Sequence, residues 1–277
     1  MNIGIIGLGL IGGSLAKSIK KHSGHTVLGF DIDPDVMTAA MMSGAIDEAL
    51  HEEDIPSCRV VLVALYPSLC VDYISRHADI FAPGTLVIDC AGVKRAVMGP
   101  LADITSGREW IYMGGHPMAG REFPGFRHAQ STMFERASMI LCPPKDIDLE
   151  VLESTKMFFL SIGFKSVRIT TAEEHDDMIS YTSQLAHIVS GAYVKNPLSG
   201  EHKGFSGGSF LDMTRVARLN ENMWTELFMD NADLLVPQVD DLIMRLTQYR
   251  DALERRDDEA LRALLKEGRL MKEALDD

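Results

Sequence analysis

The hydrophobic pattern of this chain changes character near residue 170. Up to that point, short apolar runs rich in β-branched residues recur: NIGIIG, TVLGFDI, VVLVAL, TLVIDC, WIYMGG, SMILCPP and FKSVRIT. Most are continuously apolar rather than alternating, which is how strands covered on both faces read. Segments with helical periodicity, such as GGSLAKSIKKH and LEVLESTKMFFLSIG, lie between most of them. The alternation predicts a mainly parallel sheet with helices on both sides. Beyond Thr170 the strand signals stop. TAEE has the form of a capping box, with Thr171 as N-cap and Glu174 three residues on. Helical periodicity then runs from about 172 to 195 and ends before Asn196-Pro197. A further helix, SFLDMTRVARLNENMW, and an amphipathic tail follow the loop PLSGEHKGFSGG, with Pro237 at a helix start or a kink. The pattern divides the chain into an α/β domain of residues 1–170 and an all-α domain of residues 171–277.

The first strand runs directly into G-x-G-x-x-G, formed by Gly7, Gly9 and Gly12. Three spaced glycines alone are a weak signal, but here a strand precedes them, a helix follows, and the next strand ends in an acid. Gly7 permits the tight turn, Gly9 lets a pyrophosphate approach the backbone, and Gly12 lets helix and strand pack closely. The helix opens with Leu10 and Ile11, and its unpaired N–H groups offer a partial positive charge to phosphates. Asp31 lies nineteen positions after Gly12, placed to accept from a ribose 2′-hydroxyl. A carboxylate there repels a 2′-phosphate, so NAD is expected rather than NADP. Asp33 has a competing explanation, because DPD has the form of a helix N-cap with proline at the first helical position. The N-terminal domain is therefore expected to be of Rossmann type.

Composition narrows the function. Of 277 residues, 46% are hydrophobic, enough to fill a packed core. Twenty-seven basic and 40 acidic residues give a formal charge of −13, which repels phosphate backbones and anionic lipid. Nucleic-acid and membrane partners are not expected; a small anionic substrate requires basic residues gathered locally. Cys58, Cys70, Cys90 and Cys142 form no C-x-x-C pair and no zinc-like cluster, so buried thiols in a reducing cytoplasm are expected and no metal.

Two polar features stand out against this apolar background. In MGGHPMAG, His116 is held between paired glycines and a proline after a short apolar run. In the long helix, Asp176, Ser180, Ser183 and His187 are spaced 4, 3 and 4 apart, which places them within roughly a 60° wedge. A solvent-facing stripe has the same spacing, but this one lacks lysine, arginine and glutamate, which suits a cleft beside a cofactor domain. The next helix contributes Arg215 and Arg218.

Together, GGHPMAG, SQLAHIVS and FLDMTRVA followed by MW make the chain resemble the prephenate dehydrogenase family, which includes arogenate dehydrogenases. The resemblance spans essentially the whole chain. It implies a Rossmann domain, a helical dimerisation domain, and a substrate site between them. The implied reaction is NAD(P)-dependent oxidative decarboxylation of prephenate to 4-hydroxyphenylpyruvate, or of arogenate to tyrosine, in a homodimer. On this resemblance His116 binds the substrate hydroxyl and accepts its proton, with Gly114 and Gly115 leaving room for ring and cofactor. Arg215 clamps a carboxylate, His187 lies in the substrate pocket, and Ser183 sits one turn away from it. Glu122 matches an acidic residue at the pocket entrance, with plain surface charge as the competing reading.

Two positions depart from the family pattern. Gly92, in CAGVKRAV, stands where many members carry a serine beside the histidine, so a water or another side chain must replace that hydroxyl. Gln184 stands where a family histidine lies one turn before His187, which lowers the pocket's cationic character. No further regulatory domain is expected after Asp277. Competing functions are another two-domain hydroxyacid dehydrogenase and a non-catalytic NAD-sensing protein; the latter has no use for His116, His187 and Arg215 in one cleft.

Overall fold

The computed structural model describes residues 1–121 and 123–276. The first part of the chain builds one eight-stranded sheet: β1 (Asn2–Ile6), β2 (Thr26–Phe30), β3 (Glu48–Ala49), β4 (Cys58–Val63), β5 (Leu86–Asp89), β6 (Ile111–Pro117), β7 (Ser138–Cys142) and β8 (Ser166–Ile169). Its order is β3-β2-β1-β4-β5-β6-β7-β8, and only the β6–β7 pair is antiparallel. Seven strands are legible in the apolar pattern. The eighth, β3, is a two-residue edge strand carrying Glu48, too short and too polar to register.

The continuous apolar runs are explained by two cores. On β4, Val60 and Leu62 enter one core while Val61 and Val63 enter the other. The first core is closed by α1 (Leu10–His22), α2 (Pro34–Met42) and α5 (Leu149–Ser161), through Leu15, Ile19, Ala40 and Phe159. The second is closed by α3 (Pro67–His77) and α4 (Arg95–Thr105), through Cys70, Ile74, Val97 and Leu101. Each buried leucine, isoleucine, valine or phenylalanine among these contributes about 1.5–3 kcal/mol of transfer free energy. All four cysteines are buried free thiols, and burial raises Cys58 to about 11 and Cys70 to about 12.

Beyond β8 the described chain is helical: α6 (Ala172–Ile179), α7 (Ala186–Tyr193), α8 (Gly208–Thr214), α9 (Glu221–Met229), α10 (Ala232–Glu254) and α11 (Asp258–Asp276). Thr171 caps α6 by accepting from the Glu174 N–H at 3.1 Å, as expected, but the Glu174 carboxylate takes the Thr170 hydroxyl instead of closing the box. The long helix is not uniform. A π-helical turn, Ser180–Leu185, separates α6 from α7. The predicted SFLDMTRVARLNENMW helix is also interrupted. The Asn220 side chain accepts from the N–H groups of Asn222 and Met223 and starts α9 afresh, leaving Arg215 and Arg218 in the connection after α8. Pro237 lies inside α10. No described helix is long and apolar enough to cross a membrane.

The glycine loop after β1 has the expected shape. Gly7 adopts φ +82°, and a Cβ on Gly12 would stand 1.8 Å from the Gly7 carbonyl oxygen, so α1 crosses the loop at backbone contact. A Cβ on Gly9 would meet nothing within 4 Å. Gly9 also begins α1 without any side-chain cap, leaving the helix N-terminus available to a ligand. These two glycines therefore separate packing from binding. Gly12→Ala should cost about 3 kcal/mol or more in urea unfolding, because backbone must move. Gly9→Ala should change stability by less than about 1 kcal/mol, yet weaken NAD binding in a fluorescence titration.

Candidate active site

Because β1, β2, β4, β5 and β6 run parallel, their carboxyl ends share one edge. That edge carries the glycine loop, Asp31 after β2, Asp89 at the end of β5, and His116 near the end of β6. Asp31 is tied to the loop, accepting from the Leu8 N–H at 2.7 Å and the Asp33 N–H at 3.0 Å. Asp33 itself is the N-cap of α2, accepting from the Asp35 N–H at 2.9 Å. The open face of Gly9, the uncapped start of α1 and the fixed Asp31 carboxylate fit a dinucleotide. Gly9 and the N-terminal residues Leu10 and Ile11 would meet its phosphates, Gly7 and Gly12 would hold the turn and the close helix packing beneath them, and Asp31 would meet its ribose.

The paired glycines before His116 serve the protein rather than a ligand. A Cβ on Gly114 would stand 2.7 Å from Met98 Sδ and 3.1 Å from the Lys94 stem. A Cβ on Gly115 would stand 2.6 Å from the Asp89 carbonyl oxygen and 2.7 Å from Met139 Cε. The expected room for ring and cofactor is thus occupied by a buried lysine and the neighbouring strands. Lys94 is fully buried, with its ammonium on the Asp89 carboxylate and the Gly115 carbonyl. Tyr112 donates to the other Asp89 oxygen at 2.8 Å, and burial beside that carboxylate holds its hydroxyl protonated. This closed cluster fixes the strand ends from which His116 projects.

His116 Nδ1 lies 2.8 Å from His175 Nε2, and His175 Nδ1 lies 2.7 Å from Asp176 Oδ1. Asp176 has no exposed surface and also takes the Lys94 N–H at 2.7 Å, the Arg95 N–H at 2.8 Å and the Arg95 Nε–H at 3.2 Å. Though burial opposes ionisation, the His175 hydrogen bond and these donors hold its pKa below the ordinary carboxylate value. An ionised carboxylate only accepts, so His175 must donate from Nδ1. A neutral His175 then accepts at Nε2, and His116 donates from Nδ1. That leaves the lone pair on His116 Nε2. Both imidazoles are neutral near pH 7. Burial pulls His116 well below the ordinary value, helped by His175 and Lys94; burial also lowers His175, against the raising effect of Asp176.

Arg95 carries the network across the domain junction. Its guanidinium meets Asp233 with two contacts of 2.8 Å and Asn231 Oδ1 at 2.8 Å. Asn231 donates to the Asp176 carbonyl at 2.9 Å and to Gln184 Oε1 at 2.8 Å, while Gln184 donates to the Leu227 carbonyl at 2.8 Å. Gln184 is therefore a buried tie between helices, not a neutral substitute lining the pocket. A second tie joins the domains where Glu226 accepts from the Ser68 N–H at 2.8 Å.

The expected polar stripe is divided. Asp176 and Ser180 are wholly buried, with Ser180 bonded back to the Asp177 carbonyl. The π-helical turn changes the helical phase at Ser180–Leu185, so the wedge computed for a straight helix does not survive. Ser183 is half-buried within that turn. His187 donates from Nδ1 to the Val216 carbonyl at 3.0 Å and its ring stands 4.0 Å from Trp224. Burial lowers the His187 pKa, and nearby Arg215 lowers it further, so its Nε2 is an acceptor rather than a cation. Arg215 is exposed at the end of α8, and Arg218 lies over the Phe123 ring at 5.1 Å, facing the loop that follows His116. Glu122 lies outside the described residues.

Sequence reasoning singled out His116, His187 and Arg215 but not His175, Lys94 or Arg95; the structure pairs His116 with His175 and sets His187 near Arg215. The signal available was the adjacent His175-Asp176 pair in the first turn of a helix after a cap, and the basic Lys94-Arg95 pair in an apolar strand–helix junction.

Comparison with known proteins agrees with this architecture. Residues 15–168 match the family model of the prephenate dehydrogenase nucleotide-binding domain, and residues 171–267 match that of its dimerization domain. A prephenate dehydrogenase of Bacillus subtilis is 30% identical over 265 residues, covering 93% of this chain and 71% of the relative. A cyclohexadienyl dehydrogenase of Zymomonas mobilis is 28% identical, covering 99% and 96%. The crystal structure of an Aquifex aeolicus prephenate dehydrogenase in complex with hydroxyphenyl propionate and NAD+ superposes with a TM-score of 0.86 at 26% identity, covering 99% and 98%. The two matched regions coincide with the Rossmann-type sheet domain and with most of the helical domain, and the chain belongs to the prephenate dehydrogenase family.

Proposed function

We propose that the protein oxidises prephenate to 4-hydroxyphenylpyruvate with loss of CO₂, using NAD. The observation that carries this reading is the neutral His116 imidazole, whose Nδ1 is engaged by His175 and whose Nε2 remains as an acceptor at the cradle edge of the sheet. The bound nicotinamide supplies the acceptor for the hydride that leaves the hydroxyl-bearing ring carbon. The protein's part is to orient the ring and to manage one proton and two carboxylates.

As the C–O bond gains carbonyl character, the substrate hydroxyl becomes acidic, and His116 Nε2 takes its proton. Ring carboxylate loss then returns an electron pair to that oxygen, which recovers the proton. Arg215 clamps a substrate carboxylate through the bidentate geometry that guanidinium offers. His187 Nε2 and the Ser183 hydroxyl supply neutral hydrogen-bonding groups on the helical side. Asp31 favours the 2′-hydroxyl of NAD over a 2′-phosphate. Two copies are proposed to pair through the helical domain, whose α10 and α11 expose Ile243, Met244, Leu246, Leu265 and Met271.

Incubation with NAD and either prephenate or arogenate, followed by NADH absorbance, tests the assignment. Turnover of prephenate is expected; exclusive turnover of arogenate would move the substrate, and turnover of neither would reject the reaction. His116→Asn should lower kcat by about 10²- to 10⁴-fold with KM within a few-fold. Arg215→Ala should instead raise the substrate KM by about 10- to 100-fold, the size of a lost charged hydrogen-bond pair. Since burial lowers the His116 pKa, its base form persists below the ordinary histidine value of 6.5. The acid limb of kcat/KM should accordingly lie below pH 6.5 in the wild-type enzyme.

A further inference from the structure

We propose that His175, held by Asp176, positions His116 and acts as second carrier of the substrate proton, so that the positive charge of the working imidazole comes to rest on the buried His175–Asp176 pair. This deepens the reading above and rests on it for the identity of the proton donor. Three observations carry it.

The first is the geometry. Contacts of 2.8 and 2.7 Å align His116, His175 and Asp176 in one chain. The second is saturation. Every acceptor direction at Asp176 is directed inward, toward His175, two backbone N–H groups and Arg95, so the carboxylate cannot turn to another partner. The third is the absence of the expected hydroxyl. Gly92 brings no side chain, and a Cβ there would stand 3.1 Å from Leu227 Cδ2, in volume that Leu227 already borders. His175, 2% exposed, therefore fills the role of partner to His116 Nδ1.

The proton balance closes. The substrate O–H proton moves to His116 Nε2, and the His116 Nδ1 proton moves to His175 Nε2. His175 keeps its Nδ1 proton on Asp176, becoming an imidazolium beside a carboxylate. The C–H electron pair departs as hydride to the nicotinamide, and the O–H pair becomes the second C–O bond. When the ring carboxylate leaves as CO₂, its C–C pair restores the pair on oxygen, and the relay runs backward to protonate it. No proton is taken from or released to solvent. The groups facing the relay are Lys94 and Asp89 from the β5–α4 junction, Tyr112 on Asp89, and Arg95 on Asp176. Lys94 disfavours two protonated imidazoles, while Asp176 gives the relayed charge its one favourable seat.

The test uses the full chain with ¹⁵N-labelled histidine, read by long-range ¹H–¹⁵N spectra, with His116→Asn and His175→Phe assigning the two rings. The wild-type protein near pH 7 should show both rings protonated at Nδ1 and bare at Nε2. His175→Phe should release His116 into the Nε2–H form and lower kcat by about 10- to 100-fold, with KM within a few-fold. His175→Gln retains a carbonyl that accepts from Nδ1 but cannot carry a proton. It should restore the His116 tautomer and only part of kcat. An Nε2–H tautomer of His116 in the wild type, or wild-type kcat in His175→Phe, would overturn the proposal. So would a parallel collapse of kcat, KM and melting temperature in both His175 variants. If His175→Phe fails to fold, the wild-type tautomer and His175→Gln decide the matter. A wild-type protein inert toward prephenate and arogenate, but carrying the Nδ1–H tautomers, would reject the substrate assignment while supporting the positioning of His116.

Discussion

The buried Asp176 carboxylate is the point on which the two halves of the molecule depend. Removing a carboxylate from water costs several kcal/mol even after the protein relaxes. Asp176 offsets that cost with four donors, and three of them belong to the opposite domain: the N–H groups of Lys94 and Arg95 and the Arg95 side chain. The compensation exists only when α6 is seated on the start of α4. The seating of α6 on α4 and the burial of this carboxylate are therefore coupled. The same seating brings His175 to His116, so the position of the reacting imidazole is set by the junction rather than by its own strand alone.

A second buried pair supports the first from below. Lys94 and Asp89 sit without solvent exposure beneath the end of β6, and Lys94 holds the Gly115 carbonyl immediately before His116. Its charge also works at a distance, adding to the burial that keeps His116 neutral. Neutrality is what a proton acceptor needs, since a histidine already protonated at neutral pH has no lone pair to offer. Among the described residues, the cations in contact with this network, Lys94 and Arg95, are paired internally.

The parts of the structure that obey a repeating rule are legible in the sequence. Strands buried on both faces write continuous apolar runs, and the glycine loop writes its spacing, because each depends on neighbours in the chain. His116 is legible because its glycines and proline are local too. Those glycines also show the limit: they read as room for ring and cofactor, but the space beside them is filled by Lys94, Met98 and strand backbone. His175 and Arg95 escape notice because the partners that give them their place, His116 and Asp176, lie 59 and 81 positions away. The stripe of Asp176, Ser180, Ser183 and His187 misleads for a different reason. A constant 100° per residue carries across Ser180–Leu185 only if no π-helical turn intervenes, and no residue there announces one.

The pairing of Gly92 with His175 follows from volume as well as hydrogen bonding. Leu227 is anchored by its carbonyl, which accepts from Gln184, and Gln184 is fixed in turn by Asn231. Its side chain borders the space above Gly92, and a Cβ there would require it to give by a few tenths of an ångström. A side chain at position 92 would therefore press on Leu227 as now seated, whereas the His175 imidazole reaches His116 from α6. A serine hydroxyl can orient a histidine, but it passes a proton only by receiving another. An imidazole backed by a carboxylate can hold the charge itself. The arrangement of glycine, leucine and a second histidine is thus internally consistent: packing at the junction is tightened, and the orienting group gains the capacity to store a proton.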